Sequence, residues 1–122
     1  MSDDSTSRGE TVGEVVIDGP IRALEIQRTP ARFEVRVGDE IAFLTFTVTG
    51  SAMSIRHTEV AAALRGKGLG EALARAALDD ARARGMAVKP YCPFVARYIE
   101  SHPEYRALVD PAFVQEADKS AE

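Results

Sequence analysis

The chain has 122 residues, 45% of them hydrophobic, and a formal net charge of −4. That length suits one small domain with an adequate but not generous core. No run of about 18 apolar residues is present, which argues against a membrane-spanning helix. The polar, acid-bearing start does not read as a secretory signal. A single cysteine allows no intrachain disulfide, and the two histidines, His57 and His102, are too far apart in sequence to form a metal-ligand cluster. These features predict a cytoplasmic protein without a metal.

The negative charge belongs to the ends. Residues 1–10 hold Asp3, Asp4 and Glu10 against Arg8, and residues 115–122 hold Glu116, Asp118 and Glu122 against Lys119. What remains, 11–114, has 13 basic and 13 acidic residues, a neutral domain. A nucleic-acid binder would show a basic excess, so no nucleic-acid partner is expected. The two acidic tails are expected to be solvated and disordered.

In chain order, Val15-Val16-Ile17 and residues 21–26 are short apolar runs split by the turn signal Asp18-Gly19-Pro20. They read as an extra edge strand or as a lid. From Arg32 the alternation is regular, with Phe33, Val35 and Val37 on one side and Arg32, Glu34 and Arg36 on the other. Gly38-Asp39 makes a two-residue hairpin connection. The next strand, Glu40–Thr49, sets Ala42, Leu44, Phe46 and Val48 on one face, with Ile41 and Phe43 opposite, as a central strand would. Gly50-Ser51 turns the chain into a third strand, Ala52–Val60. A three-stranded antiparallel meander is therefore expected.

The period then becomes helical. Over 69–84, Leu69, Leu73, Ala76, Ala77 and Asp80 fall near one stripe, with alanine filling that favours helix. Glu71–Arg75 and Asp80–Arg84 are acid-before-base pairs, each worth about 0.3 kcal/mol. Gly85 suits the position just past the helix end. Residues 86–89 form a short strand, and a strand–helix–strand order implies a right-handed crossover that lays it parallel to Ala52–Val60. Pro93 fits the first turn of a helix over 94–101, which makes Cys92 its N-cap. Residues 105–114 read as a loop and a final turn.

Between the third strand and the long helix lies Arg65-Gly66-Lys67-Gly68-Leu69-Gly70. Its glycines let the backbone curl, and the following helix offers unpaired N–H groups and a positive dipole end. This is a seat for an anion, a phosphate or diphosphate above all. It is not a Walker loop, because Gly68 rather than Ser or Thr follows Lys67 and no earlier glycine has the required spacing. Nor is it a dinucleotide fingerprint, since positions 71 and 73 are Glu and Leu.

The remaining pattern, R-x-x-G-x-G at Arg65, Gly68 and Gly70, resembles the coenzyme A pyrophosphate loop of the GNAT superfamily of N-acetyltransferases. With His57-Thr58-Glu59-Val60 before it and Pro90-Tyr91-Cys92-Pro93-Phe94-Val95 after it, the chain looks like the compact, YjdJ-like branch. His102-Pro103-Glu104-Tyr105 matches that branch too, and the resemblance covers roughly 28–109. It implies a small α/β fold, a mixed and mostly antiparallel sheet of four to five strands with helices on its faces. It further implies acetyl transfer from acetyl-CoA to an amine of a protein, peptide or small molecule. Larger relatives carry helices between the first strands, whereas here Gly38-Asp39 connects them directly and leaves the acceptor side open. A monomer or weak dimer is expected.

Site residues follow from the same resemblance. Arg65, Gly66, Lys67, Gly68, Leu69 and Gly70 would cradle the pyrophosphate, with Gly68 and Gly70 mattering most because a Cβ would block backbone approach. The third strand would splay from strand 86–89, and the pantetheine arm would bond in the gap near Thr58 and Val60. An N–H in 58–61 would polarise the thioester carbonyl. His57 and Glu59 alternate onto one face as candidate bases, with His57 favoured by its ordinary pKa; a packed sheet residue is the competing reading. Cys92, at a helix N-cap that favours thiolate, is either an acyl-cysteine nucleophile or a wall of the acyl pocket. Tyr91, Phe94 and Tyr98 would line the channel or simply fill core. Two rival functions stay open: a CoA or acyl-CoA-binding module with little transfer activity, and a protein-interaction domain with a merely structural loop.

Overall fold

The computed structural model describes residues 10–17 and 22–113. Both expected tails fall largely outside these residues, although Glu10 already opens the first strand. Six strands form one sheet in sequential order: β1 (Glu10–Ile17), β2 (Arg22–Arg28), β3 (Arg32–Val37), β4 (Glu40–Thr49), β5 (Ala52–Val60) and β6 (Ala87–Pro90). Among the described residues two helices pack on the sheet, α1 (Leu69–Ala83) and α2 (Pro93–Ser101), with short 3-10 segments at Ala62–Leu64 and Pro103–Leu108, and residues 111–113 are helical as well.

The sheet thus has six strands rather than four to five. The reason is the N-terminal segment, which is neither lid nor single edge strand: β1 and β2 pair antiparallel as an edge hairpin, from Glu10 opposite Arg28 to Ile17 opposite Arg22. The expected meander β3–β4–β5 is antiparallel throughout, and Gly38 and Gly50 turn its hairpins at φ of 61° and 62°. Among the described strands β6 alone runs parallel to its neighbour, with Ala52 opposite Ala87 and Ile55 opposite Pro90.

The alternation in β3 and β4 decides which face is core. Phe33, Val35, Ala42, Leu44 and Phe46 are buried, as are Met53 and Ile55 of β5. Val48 departs from the expected stripe and is 44% exposed, because β3 covers β4 only as far as Thr45 and the hairpin tip runs beyond it. Glu34 lies on the charged side of β3 yet is buried, held between Arg32 at 2.8 Å and Arg36 at 3.5 Å.

Helix α1 closes this core with Leu69, Leu73, Ala74, Ala77, Leu78 and Ala81. Its leucines are each worth about 1.5–3 kcal/mol of burial, and its alanines let the helix lie close to the sheet. Gly85, at φ 69°, ends it and returns an N–H to the Arg82 carbonyl. Asp80, on the expected stripe, is half-buried as an acceptor: Arg28 of β2 donates to it at 2.9 Å and Arg84 at 2.9 Å. Arg75 lies 3.8 Å from Asp79, one turn on, rather than pairing back to Glu71. Helix α2 leans on α1, where the Phe94 ring stands against Gly70.

Among the described residues no helix is long and apolar enough to cross a membrane. No group of three His, Cys, Asp or Glu side chains gathers as a metal site among them.

Candidate functional site

The glycine loop joins β5 to α1. Gly66 and Gly68 both have φ of 81°, a left-handed conformation that a Cβ opposes, so local geometry demands glycine there. Gly68 is the N-cap of α1, and no side chain caps it. Its carbonyl accepts the Ala72 N–H at 3.0 Å, which leaves the N–H groups of Leu69, Gly70 and Glu71 without intrahelical acceptors. Gly70 is small for another reason: a Cβ there would come within 3.1 Å of the Phe94 ring.

In front of the loop is a cavity of about 400 Å³, lined among others by Val60, Leu64, Arg65, Gly68, Gly70 and Phe94. The Arg65 Nε donates to the Val60 carbonyl at 3.1 Å, leaving the rest of its five-donor fork available. Lys67 is exposed beside it. A curled backbone, a helix N-terminus and a guanidinium surround one cavity, the chemistry that suits an anion.

The strand before the loop is open on one edge. Pairing of β5 with β6 stops at Ile55 and Pro90, while β5 runs on to Val60 against β4. The cause is a register shift opposite Thr45–Phe46, which makes Arg56 an extra residue in β5. Such a bulge bends a strand and increases its twist. Beyond it the Ala61 N–H bonds the Ile41 carbonyl. By antiparallel alternation, Glu59 and His57 also turn their peptide groups to β4. Thr58 and Val60 therefore direct theirs to the gap left by β6. Sequence alternation selects these two residues only as a side-chain pattern; the bulge fixes which amides face the gap.

Cys92 sits on the far side of that gap. It is the N-cap of α2 with Pro93 in the first turn, it is buried, and its N–H bonds the Ile55 carbonyl at 3.1 Å. Its Sγ lies 3.5 Å from Thr58 Oγ1. His57 and Glu59 are elsewhere. They alternate to the opposite face of β5 and bond each other at 3.0 Å, both about 60% exposed, with the Phe43 ring edge-on to the imidazole. The three candidate catalytic side chains therefore form two groups, a thiol with a hydroxyl and an imidazole with a carboxylate.

The aromatics also part company. Phe94 lines the cradle cavity. Tyr91 is on the other side, 40% exposed, under the Arg56 guanidinium and against Phe113. Tyr98 stacks on His102 with centroids 3.9 Å apart; burial, more than any charge, pushes its phenol up, with Arg75 opposing. Tyr105 is buried and donates to Asp79 at 2.7 Å; burial first and that bond second push it up to about 12. Sequence reading named Phe94 and Tyr98 but missed Arg97 and Ser101, which the i, i+3, i+4, i+7 spacing puts on the same face of α2, with His102 as its C-cap.

A glycine loop at a helix N-terminus, set beside two parallel strands that part, defines a domain that can take an extended anionic ligand between strands. Residues 32–108 match the GCN5-related N-acetyl-transferase family, and the chain belongs to that family. Protein NATD1 of Mus musculus is 33% identical over 88 residues, covering 70% of this chain and 79% of the relative. Protein NATD1 of Homo sapiens is 32% identical over 87 residues, covering 69% and 76%. The matched family region begins at Arg32, so the β1–β2 hairpin precedes it.

Proposed function

We propose that the protein is an N-acetyltransferase of the compact, YjdJ-like branch, moving an acetyl group from acetyl-CoA to an amine. One observation carries this reading: β5 and β6 part at Ile55 and Pro90, with the glycine cradle on one side of the gap and the Cys92-capped helix on the other. The carrier would supply an activated thioester carbonyl. The residues present fit it, since the cradle suits a diphosphate and the Thr58 and Val60 peptide groups offer a ladder to an amide-bearing arm.

In this reading the amine nitrogen bonds to the acetyl carbon, the carbon–sulfur bond breaks, and the departing sulfur takes up a proton. A gap-facing N–H of Thr58 or Val60 stabilises charge on the carbonyl oxygen. The His57–Glu59 pair receives the amine proton from the helix-free face of β5, with Glu59 orienting the imidazole at 3.0 Å. Cys92 walls the acetyl group, since among the described residues it touches the Thr58 hydroxyl and no base. The acceptor is a protein, peptide or small-molecule amine approaching an open sheet face.

The test is acetyl-CoA labelled in its acetyl group, offered to a peptide library and a set of small amines. Label transfer supports the reading. Binding without transfer makes the protein a CoA-binding module instead, and calorimetry showing no binding at millimolar CoA overturns both.

A further inference from the structure

The helix-free face of the sheet carries its charges unevenly. Arg32 and Arg36 of β3 share the buried Glu34 carboxylate. Glu25 of β2 accepts from Gln27 at 3.2 Å, and Glu59 is engaged by His57. Arg56 and Lys89 have no carboxylate partner among the described residues.

Both stand where β5 and β6 part. Lys89 is level with Ser54, and Pro90 with Ile55, the last paired positions. Tyr91 and Arg56 come next on the two strands. Val88 and Pro90 are buried, so alternation turns Lys89 and Tyr91 to the helix-free face. Arg56, the extra residue of the bulge, leans the same way: its guanidinium lies over the Tyr91 ring, 4.6 Å from the centroid. The Phe113 ring meets Tyr91 edge-on. A guanidinium resting on a ring keeps its N–H donors for a ligand.

Arg56 directly precedes His57, and Tyr91 directly precedes Cys92. The two unmatched cations therefore flank the fork at which an amine meets the thioester. They are offset by two residues of strand, about 6.6 Å. Side chains at i and i+2 of an extended peptide share a face with the same offset. A molecule with one carboxylate would match one cation and leave the other unpaired. We infer that the acceptor is an acidic peptide segment, bound extended across the fork with two carboxylates, two residues apart, on Arg56 and Lys89. Its amine then lies beside His57. This rests on the acetyl-transfer reading and names the class of acceptor that the open face selects.

The full chain, saturated with acetyl-CoA labelled in its acetyl group, is offered a lysine peptide with glutamates at alternate positions, and the same peptide with glutamines. Fluorescence anisotropy reads binding, and the label reads transfer. The glutamate peptide should bind about ten-fold more tightly and react with a lower KM at similar kcat. That preference should fade at about 1 M salt, where charges are screened beyond about 3 Å. Arg56 is exposed, and Arg56→Glu should reverse the preference in favour of a peptide with lysines at those positions. Lys89→Gln should narrow the difference between the glutamate and glutamine peptides, and circular dichroism checks that both variants fold. Equal binding of the two peptides with label transferred, or no reversal in a folded Arg56→Glu chain, overturns the acidic acceptor and spares acetyl transfer. Faster transfer to free glutamate than to the glutamate peptide overturns the peptide in favour of an amino acid. Selective binding with no label moved supports the acidic-peptide surface and overturns acetyl transfer, and failure of either peptide to bind overturns the surface.

Discussion

The Cys92 sulfur and the Thr58 hydroxyl stand 3.5 Å apart across the gap between β5 and β6. They are 34 residues apart in sequence, and the parting of two parallel strands brings them together. The contact gives the thiol a hydroxyl neighbour and no adjacent base to take its proton. Cys92→Ser is therefore expected to keep transfer within a few-fold of wild type. A rate loss beyond about 100-fold, the scale of removing a general base or nucleophile, would show that the thiol is acylated. Trapping a labelled acetyl-cysteine by mass spectrometry would show the same.

The exposed pair His57–Glu59 is expected to behave differently. His57→Ala should lower kcat by roughly 100-fold and leave the affinity for CoA unchanged, since the imidazole faces away from the cradle. Glu59→Gln should give a smaller loss, because it only orients the ring. Steady-state kinetics with CoA affinity measured alongside separate these effects; weakened CoA binding in His57→Ala would refute the placement of the pair.

Two glycines with the same backbone demand test the cradle. Gly68 and Gly38 both have positive φ with open space where a Cβ would go, so alanine at either should cost about 1–2 kcal/mol of stability. Only Gly68→Ala should also weaken CoA, by at least about ten-fold. Thermal melts and calorimetry on the two variants check this, and equal CoA affinities would remove the loop from the site.

Arg28 ties the edge hairpin to the helix. It donates to Asp80 at 2.9 Å, and its guanidinium stands over the Phe46 ring at 5.1 Å. The pair is 14% and 10% exposed. Arg28→Ala is expected to cost about 2 kcal/mol, less than an isolated buried pair because Arg84 still reaches Asp80. Denaturant unfolding measures it; a loss below about 0.5 kcal/mol would class the bridge with ordinary surface pairs.

Tyr105 makes stability depend on alkaline pH. Its phenol titrates at about 12 in the fold, against about 10 in an unfolded chain. Between those values the unfolded chain binds fewer protons, so the contribution is complete below pH 10 and is lost as pH rises toward 12. Tyr105→Phe should be less stable at neutral pH by roughly 1.5–3 kcal/mol, the scale of a bond to a charged acceptor. Its stability should also fall less steeply than wild type from pH 10 to 12. Parallel curves for the two proteins would exclude the Asp79 bond as the cause.

Much of this protein was legible in its residues because the signals are local. Alternation in 32–60 and the helical stripe from Leu69 each answer to a few neighbouring positions, and so does the glycine loop. So does the Pro93 that makes Cys92 a cap. Reading β1 and β2 as a lid or a single strand failed for the same reason, since their short apolar runs acquire meaning only by pairing with each other and with β3. Tertiary structure alone decided where the register shifts at Arg56. That one extra residue turns the Thr58 and Val60 amides into the gap, parts Cys92 from His57, and gives the strands their splay. A bulge is settled by hydrogen bonds between strands, and such bonds leave no mark on the side chains that a sequence records.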